Sequence, residues 1–146
     1  MALDELYQEI ILDHYKHPRN RGEVDNADVV ISSDNPFCGD RLRLTLKIDD
    51  GVITCARFEG QGCAISQASA SLMSERIEGI AVPQALDLTE QVLRMIRGEG
   101  VADVLENDEL SALKGVSAFP TRIKCASLAW NALKKALNPT NQKSRL

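Results

Sequence analysis

"RLRLTLKIDDGVITCARFEGQGC", residues 41–63, decides the fold. Up to Ile48 it alternates: Leu42, Leu44, Leu46 and Ile48 face one way, and Arg41, Arg43, Thr45 and Lys47 the other. That period of two marks a strand buried on one face. Asp49, Asp50 and Gly51 then form a hairpin turn, and residues 52–59, "VITCARFE", make the returning strand. A further strand is expected upstream at 27–32, "ADVVIS". After "GQGC" the pattern changes to helices for the rest of the chain. Strands followed by a run of helices imply an α+β fold, an antiparallel sheet of these three strands with helices packed over one face.

Leu3, Leu6, Tyr7, Ile10, Ile11 and His14 recur at steps of three and four, so residues 3–16 form an amphipathic helix stopped before Pro18. Residues 63–78 are rich in Ala and Ser and end at Gly79, which suits a helix packed closely against the sheet. A third helix opens with Pro83 and runs to residue 97, and a short helical piece covers 108–114. The last helix spans about 122–137, with Ile123, Ala126, Trp130, Leu133 and Leu137 on one stripe. The whole chain, 1–146, is expected to be a single domain, with 139–146 a disordered tail.

The formal net charge of −4 and the lack of any basic run argue against nucleic acid as a partner and favour a protein. No apolar stretch approaches the roughly 18 residues that cross a bilayer, so no membrane association is expected. The N-terminal residues are acidic where a secretory signal would be basic, which points to the cytoplasm.

Four cysteines must be sorted: Cys38, Cys55, Cys63 and Cys125. In a reducing compartment they are fillers, nucleophiles or metal ligands rather than disulfides. Cys55 lies mid-strand on the side of Ile53 and reads as a structural residue. The other three sit where elements meet. Cys38 shares the turn "NPFCGD" with Asp40, and Gly39 between them lets the backbone bend. Cys63 begins a helix, and the positive end of a helix favours thiolate. Cys125 follows "FPT", again near a helix start, beside Arg122 and Lys124. No pair has the close spacing of a zinc ribbon, so spacing alone leaves two readings open, a shared site or scattered loop cysteines. Should they converge, three thiolates and one carboxylate would suit tetrahedral zinc or the edge of an iron–sulfur cluster, with the carboxylate the exchangeable ligand. His14 falls on an apolar helix stripe and reads as a core or interface residue; His17, beside Pro18, has no assigned role.

Four blocks, "LYQEIILDHYKHPRNRG", "NPFCGDRLRLTLKI", "GQGCAISQASASLMSE" and "GVSAFPTRIKCASLAWNAL", together resemble the U-type iron–sulfur cluster assembly proteins, the IscU, NifU N-terminal and SufU group. The resemblance implies that Cys38, Asp40, Cys63 and Cys125 converge on a solvent-facing site that binds zinc or assembles a cluster. It points to the SufU branch, because Lys124 stands where IscU-type proteins have a histidine, "SAFPTRIK" replaces their chaperone-docking motif, and the segment from about 80 to 115 is longer. SufU-like proteins accept persulfide sulfur from a SufS-type cysteine desulfurase and pass it to downstream iron–sulfur assembly or acceptor proteins, with zinc holding the site. By resemblance Cys38 is the sulfur acceptor, with Asp40 beside it as a metal ligand. Arg122 and Lys124 are either counter-charges to the site or ordinary helix-end cations. The alternative function is a non-enzymatic scaffold on which an iron–sulfur cluster forms.

Overall fold

The computed structural model describes residues 8–35 and 39–138. Its elements, in chain order, are α1 (Glu9–Lys16), β1 (Val29–Asn35), β2 (Asp40–Asp49), β3 (Val52–Gln61), α2 (Ala64–Ile77), α3 (Val82–Ile96), a 3₁₀ turn (Asp103–Leu105), a longer 3₁₀ segment (Glu109–Ala118) and α4 (Pro120–Ala136). The strands form one antiparallel sheet in the order β1-β2-β3. Residues 3–7 of the expected first helix and the tail 139–146 lie outside the described residues, as does Cys38. Among the described residues no helix is long and apolar enough to cross a membrane.

The hairpin follows from its turn chemistry. Asp50 and Gly51 both take positive φ, 51° and 77°, the backbone that lets a two-residue turn match the twist of its strands. The alternation of β2 holds: Leu42, Leu44, Leu46 and Ile48 are all buried, against Ile53, Ala56 and Phe58 of β3 and the helices beyond. Thr45, on the opposite face, is buried as well. The chain from Asn20 to Asp28 explains it. Residues 20–22 pair with the free edge of β3 at Phe58, and the chain then crosses the outer face, where the Val24 N–H donates to Thr45 Oγ1 at 2.9 Å.

Several boundaries and one orientation differ from expectation, and the short helical piece expected at 108–114 is a 3₁₀ segment that runs on to Ala118. β1 runs on through Ser33, Asp34 and Asn35, because their register partners Leu42, Arg41 and Asp40 supply ladder bonds that override weak local strand preference. The last helix begins at Pro120, whose fixed φ and missing N–H suit a first helical position, so Cys125 lies in the second turn and not the first. A bulge after Lys47 pairs that residue with Cys55 but Ile48 with Ile53. Thr54 is the extra residue, so Cys55 faces away from Ile53 and is only half-buried.

α2 is the central helix, with every residue from Ile65 to Ser74 buried. It touches α1, α4 and β3, and its Ser and Ala side chains let these neighbours close in. α3 and the longer 3₁₀ segment pack against each other and against α4, and the 3₁₀ segment also reaches α1 and α2. One buried network locks α2 to α4: Ser69 Oγ donates to the Ala126 carbonyl at 2.7 Å and accepts from Trp130 Nε1 at 3.1 Å.

Candidate metal centre

The open end of the β2–β3 hairpin builds the site. Arg41 pairs with Gln61, so Asp40 and Gly62, the next residues outward, face each other. Cys63 follows as the N-cap of α2, with extended backbone. Its N–H donates to Asp40 Oδ1 at 3.0 Å, and its carbonyl accepts from the Gln67 N–H and the Ser66 hydroxyl, both at 3.1 Å. Cys125 reaches the same place from α4, held by the Ser69–Ala126–Trp130 network one residue further along.

A carboxylate oxygen of Asp40 and the sulfurs of Cys63 and Cys125 lie within 4.8 Å of one another. Asp40 is 1% exposed and Cys125 fully buried, whereas Cys63 is half-buried. Asp40 Oδ2 is buried with no hydrogen-bond partner among the described residues. A buried carboxylate oxygen left without a donor costs free energy, and a cation is what such an oxygen lacks. Two thiols and that carboxylate are a donor set that fits zinc, which takes sulfur and oxygen ligands in tetrahedral sites.

Three of the four residues proposed from the sequence therefore meet, and the fourth, Cys38, precedes Gly39 and Asp40 directly but lies outside the described residues. Of the three described ligands, Cys63 is the one that meets solvent. Cys55 stays apart on the outer sheet face. Arg122, partly exposed, and Lys124, exposed, stand in α4 ahead of Cys125.

Sequence reasoning passed over the residues that position these ligands. A Cβ on Gly62 would collide with the Asp40 carboxylate and with Ser66 Oγ, so the glycine permits the approach of loop to carboxylate. Arg21 clamps that loop from outside: one guanidinium nitrogen donates to Gly60 O and another to Gln67 Oε1, each at 2.8 Å, while the group lies 6.0 Å from the Phe58 ring centroid. The flanking glycines of "GQGC" were the only sequence signal for this; Arg21, in a polar loop, carried none.

Comparison with known proteins places this geometry. The sequence profile of the NifU-like N terminal domain matches residues 6–96. The chain belongs to that family. The zinc-dependent sulfurtransferase SufU of Bacillus subtilis is 47% identical over 92% of this chain and 91% of its own. The iron–sulfur cluster assembly scaffold protein IscU of Thermotoga maritima is 43% identical, covering 94% of this chain and 96% of its own. A crystal structure of a protein assigned as a SUF-system iron–sulfur scaffold, from Fervidobacterium islandicum, superposes with a TM-score of 0.86 at 33% identity, covering 92% of this chain and 98% of that one. As a member of the NifU-like family the chain shares its α+β architecture, with the three-stranded sheet under helices on one face.

Proposed function

We propose that this chain is a zinc-dependent sulfur acceptor, taking persulfide sulfur from a SufS-type cysteine desulfurase and passing it to downstream iron–sulfur assembly proteins. The observation that carries the reading is the meeting of an Asp40 carboxylate oxygen with the Cys63 and Cys125 sulfurs, in a carboxylate whose buried Oδ2 has no donor among the described residues. The name of the Bacillus subtilis relative supports it.

In this reading Cys38, Asp40, Cys63 and Cys125 hold zinc, which when bound supplies positive charge that keeps its sulfur ligands ionised. The chain's own groups do the rest. The Cys63 N–H fixes Asp40 through Oδ1 and leaves Oδ2 for the ion. With zinc bound, the carboxylate would be a harder donor than the thiolates and the more readily exchanged ligand. Cys38, as thiolate, attacks the outer sulfur of the desulfurase persulfide. A sulfur–sulfur bond forms on Cys38 as the donor's breaks, and the electron pair leaves on the desulfurase cysteine as thiolate. Arg122 and Lys124, at the start of α4, offset the negative charge gathered there.

Desulfurase turnover on cysteine, measured anaerobically with and without the chain, tests the reading. Wild type accelerates turnover severalfold and Cys38→Ala does not; wild type without effect would refute the proposal. A stable visible-absorbing cluster on reconstitution, lost in Cys63→Ala, would instead favour the scaffold function.

A further inference from the structure

A second cluster of metal-ligand groups lies at the other end of α2. A ring nitrogen of His14, a carboxylate oxygen of Glu75 and one of Glu109 lie within 4.8 Å of one another. The twelve residue-to-residue steps along α2 from Cys63 to Glu75, at about 1.5 Å of rise each, put this cluster roughly 18 Å from the cysteine site. It contains no sulfur.

His14 is the informative member. It is 1% exposed, wedged between α1 and α2, yet its Nε2 has no hydrogen-bond partner among the described residues. Glu109 Oε1 stands 3.7 Å away, too far for a hydrogen bond. The other ring nitrogen, Nδ1, lies 2.8 Å from Ser71 Oγ, which also accepts the Arg19 N–H. In the tautomer with its proton on Nδ1, that proton goes to Ser71 and Nε2 presents a lone pair to the two carboxylates, the arrangement in which a second partner orients a metal-binding imidazole. Burial also holds the His14 pKa below its ordinary value, against the pull of Glu75 and Glu109, and so favours the neutral ring.

The surroundings leave the carboxylates available. The neighbouring cations Arg19 and Arg76 are engaged by Asp13 and Asp108 at 2.6 and 3.1 Å. Among the described residues neither Glu75 nor Glu109 pairs with a lysine or arginine. Both glutamates are exposed and line a cavity of about 310 Å³, which provides entry and room for water ligands.

We infer that His14 Nε2, Glu75 and Glu109 form a second metal site, distinct from the cysteine site, that takes a divalent first-row transition ion favouring nitrogen and oxygen donors. One imidazole and two carboxylates suit Mn²⁺ or Fe²⁺, with water completing the shell. The inference is independent of the proposed sulfur transfer. Titrating the zinc-loaded full chain with Mn²⁺, and following free Mn²⁺ by electron paramagnetic resonance, tests it, because Mn²⁺ competes poorly for thiolate sites. Wild type binds one Mn²⁺ per chain. Glu75→Gln and Glu109→Gln each weaken binding by about tenfold or more, with zinc content and desulfurase stimulation unchanged. His14→Gln abolishes it; should that variant fail to fold, the two surface glutamate variants decide. No Mn²⁺ uptake by wild type, equal uptake by the glutamate variants, or loss of zinc alongside Mn²⁺ would overturn the assignment.

Discussion

Asp40→Asn separates a metal ligand from a structural hydrogen-bond acceptor. In the wild type Oδ1 accepts the Cys63 N–H at 3.0 Å and Oδ2 is buried without a donor among the described residues. Asparagine keeps an oxygen for Cys63 and replaces the charged Oδ2 with a neutral amide. The metal-free protein therefore exchanges one unpartnered buried polar atom for another, and its stability changes by no more than about 1 kcal/mol. With zinc the variant loses stability. Loss of orienting groups around a metal lowers affinity about 10–100-fold, and loss of a ligand belongs at the upper end. A hundredfold loss removes about 2.7 kcal/mol of zinc-dependent stability at saturation, or roughly 5–10 °C in Tm for a domain of this size. Thermal melts followed by circular dichroism, one set with chelator and one with zinc, read both halves. An equal fall in Tm under both conditions would make Asp40 a structural acceptor alone and refute the reasoning.

Other substitutions test the supports of the site. Gly62→Ala forces a methyl group into the Asp40 carboxylate and Ser66, and a cost of about 1–3 kcal/mol in urea unfolding, with reduced zinc content, is expected. Ser69→Ala strips the buried Trp130 N–H of its acceptor and should cost about 1–3 kcal/mol in the same assay, with zinc content lowered because α4 carries Cys125. Stability should also fall in mild acid. His14 has a folded pKa below its unfolded value, chiefly through burial, so the unfolded chain binds the proton first; stability is level above about 6.5 and declines as pH falls below it toward the folded pKa. His14→Gln should flatten that slope in pH-dependent denaturation.

Much of this was legible because hydrophobic period and turn chemistry are local. The leucines of β2, the Asp50–Gly51 turn and the glycine stop at Gly79 each announce their element, and the structure places them as read. What escaped depended on contacts remote in sequence. The extra residue at Thr54 turns Cys55 to the outer face, and no alternation within "VITCARFE" reveals a bulge fixed by the partner strand. Thr45 is buried by a loop twenty-one residues upstream. Ser33, Asp34 and Asn35 look like loop residues until β2 pairs with them. At the site, residue type and position at element junctions pointed to Asp40, Cys63 and Cys125, whereas the burial of Asp40 and Cys125 and the clamp from Arg21 come from packing.

The central claim is that side chains distant along the chain share one ion. X-ray absorption at the zinc edge of freshly purified protein examines that directly. The account predicts one zinc per chain with about three sulfur ligands near 2.3 Å and one oxygen near 2.0 Å, from Cys38, Cys63, Cys125 and Asp40. A shell of nitrogen and oxygen alone, or one of four sulfurs, would contradict it.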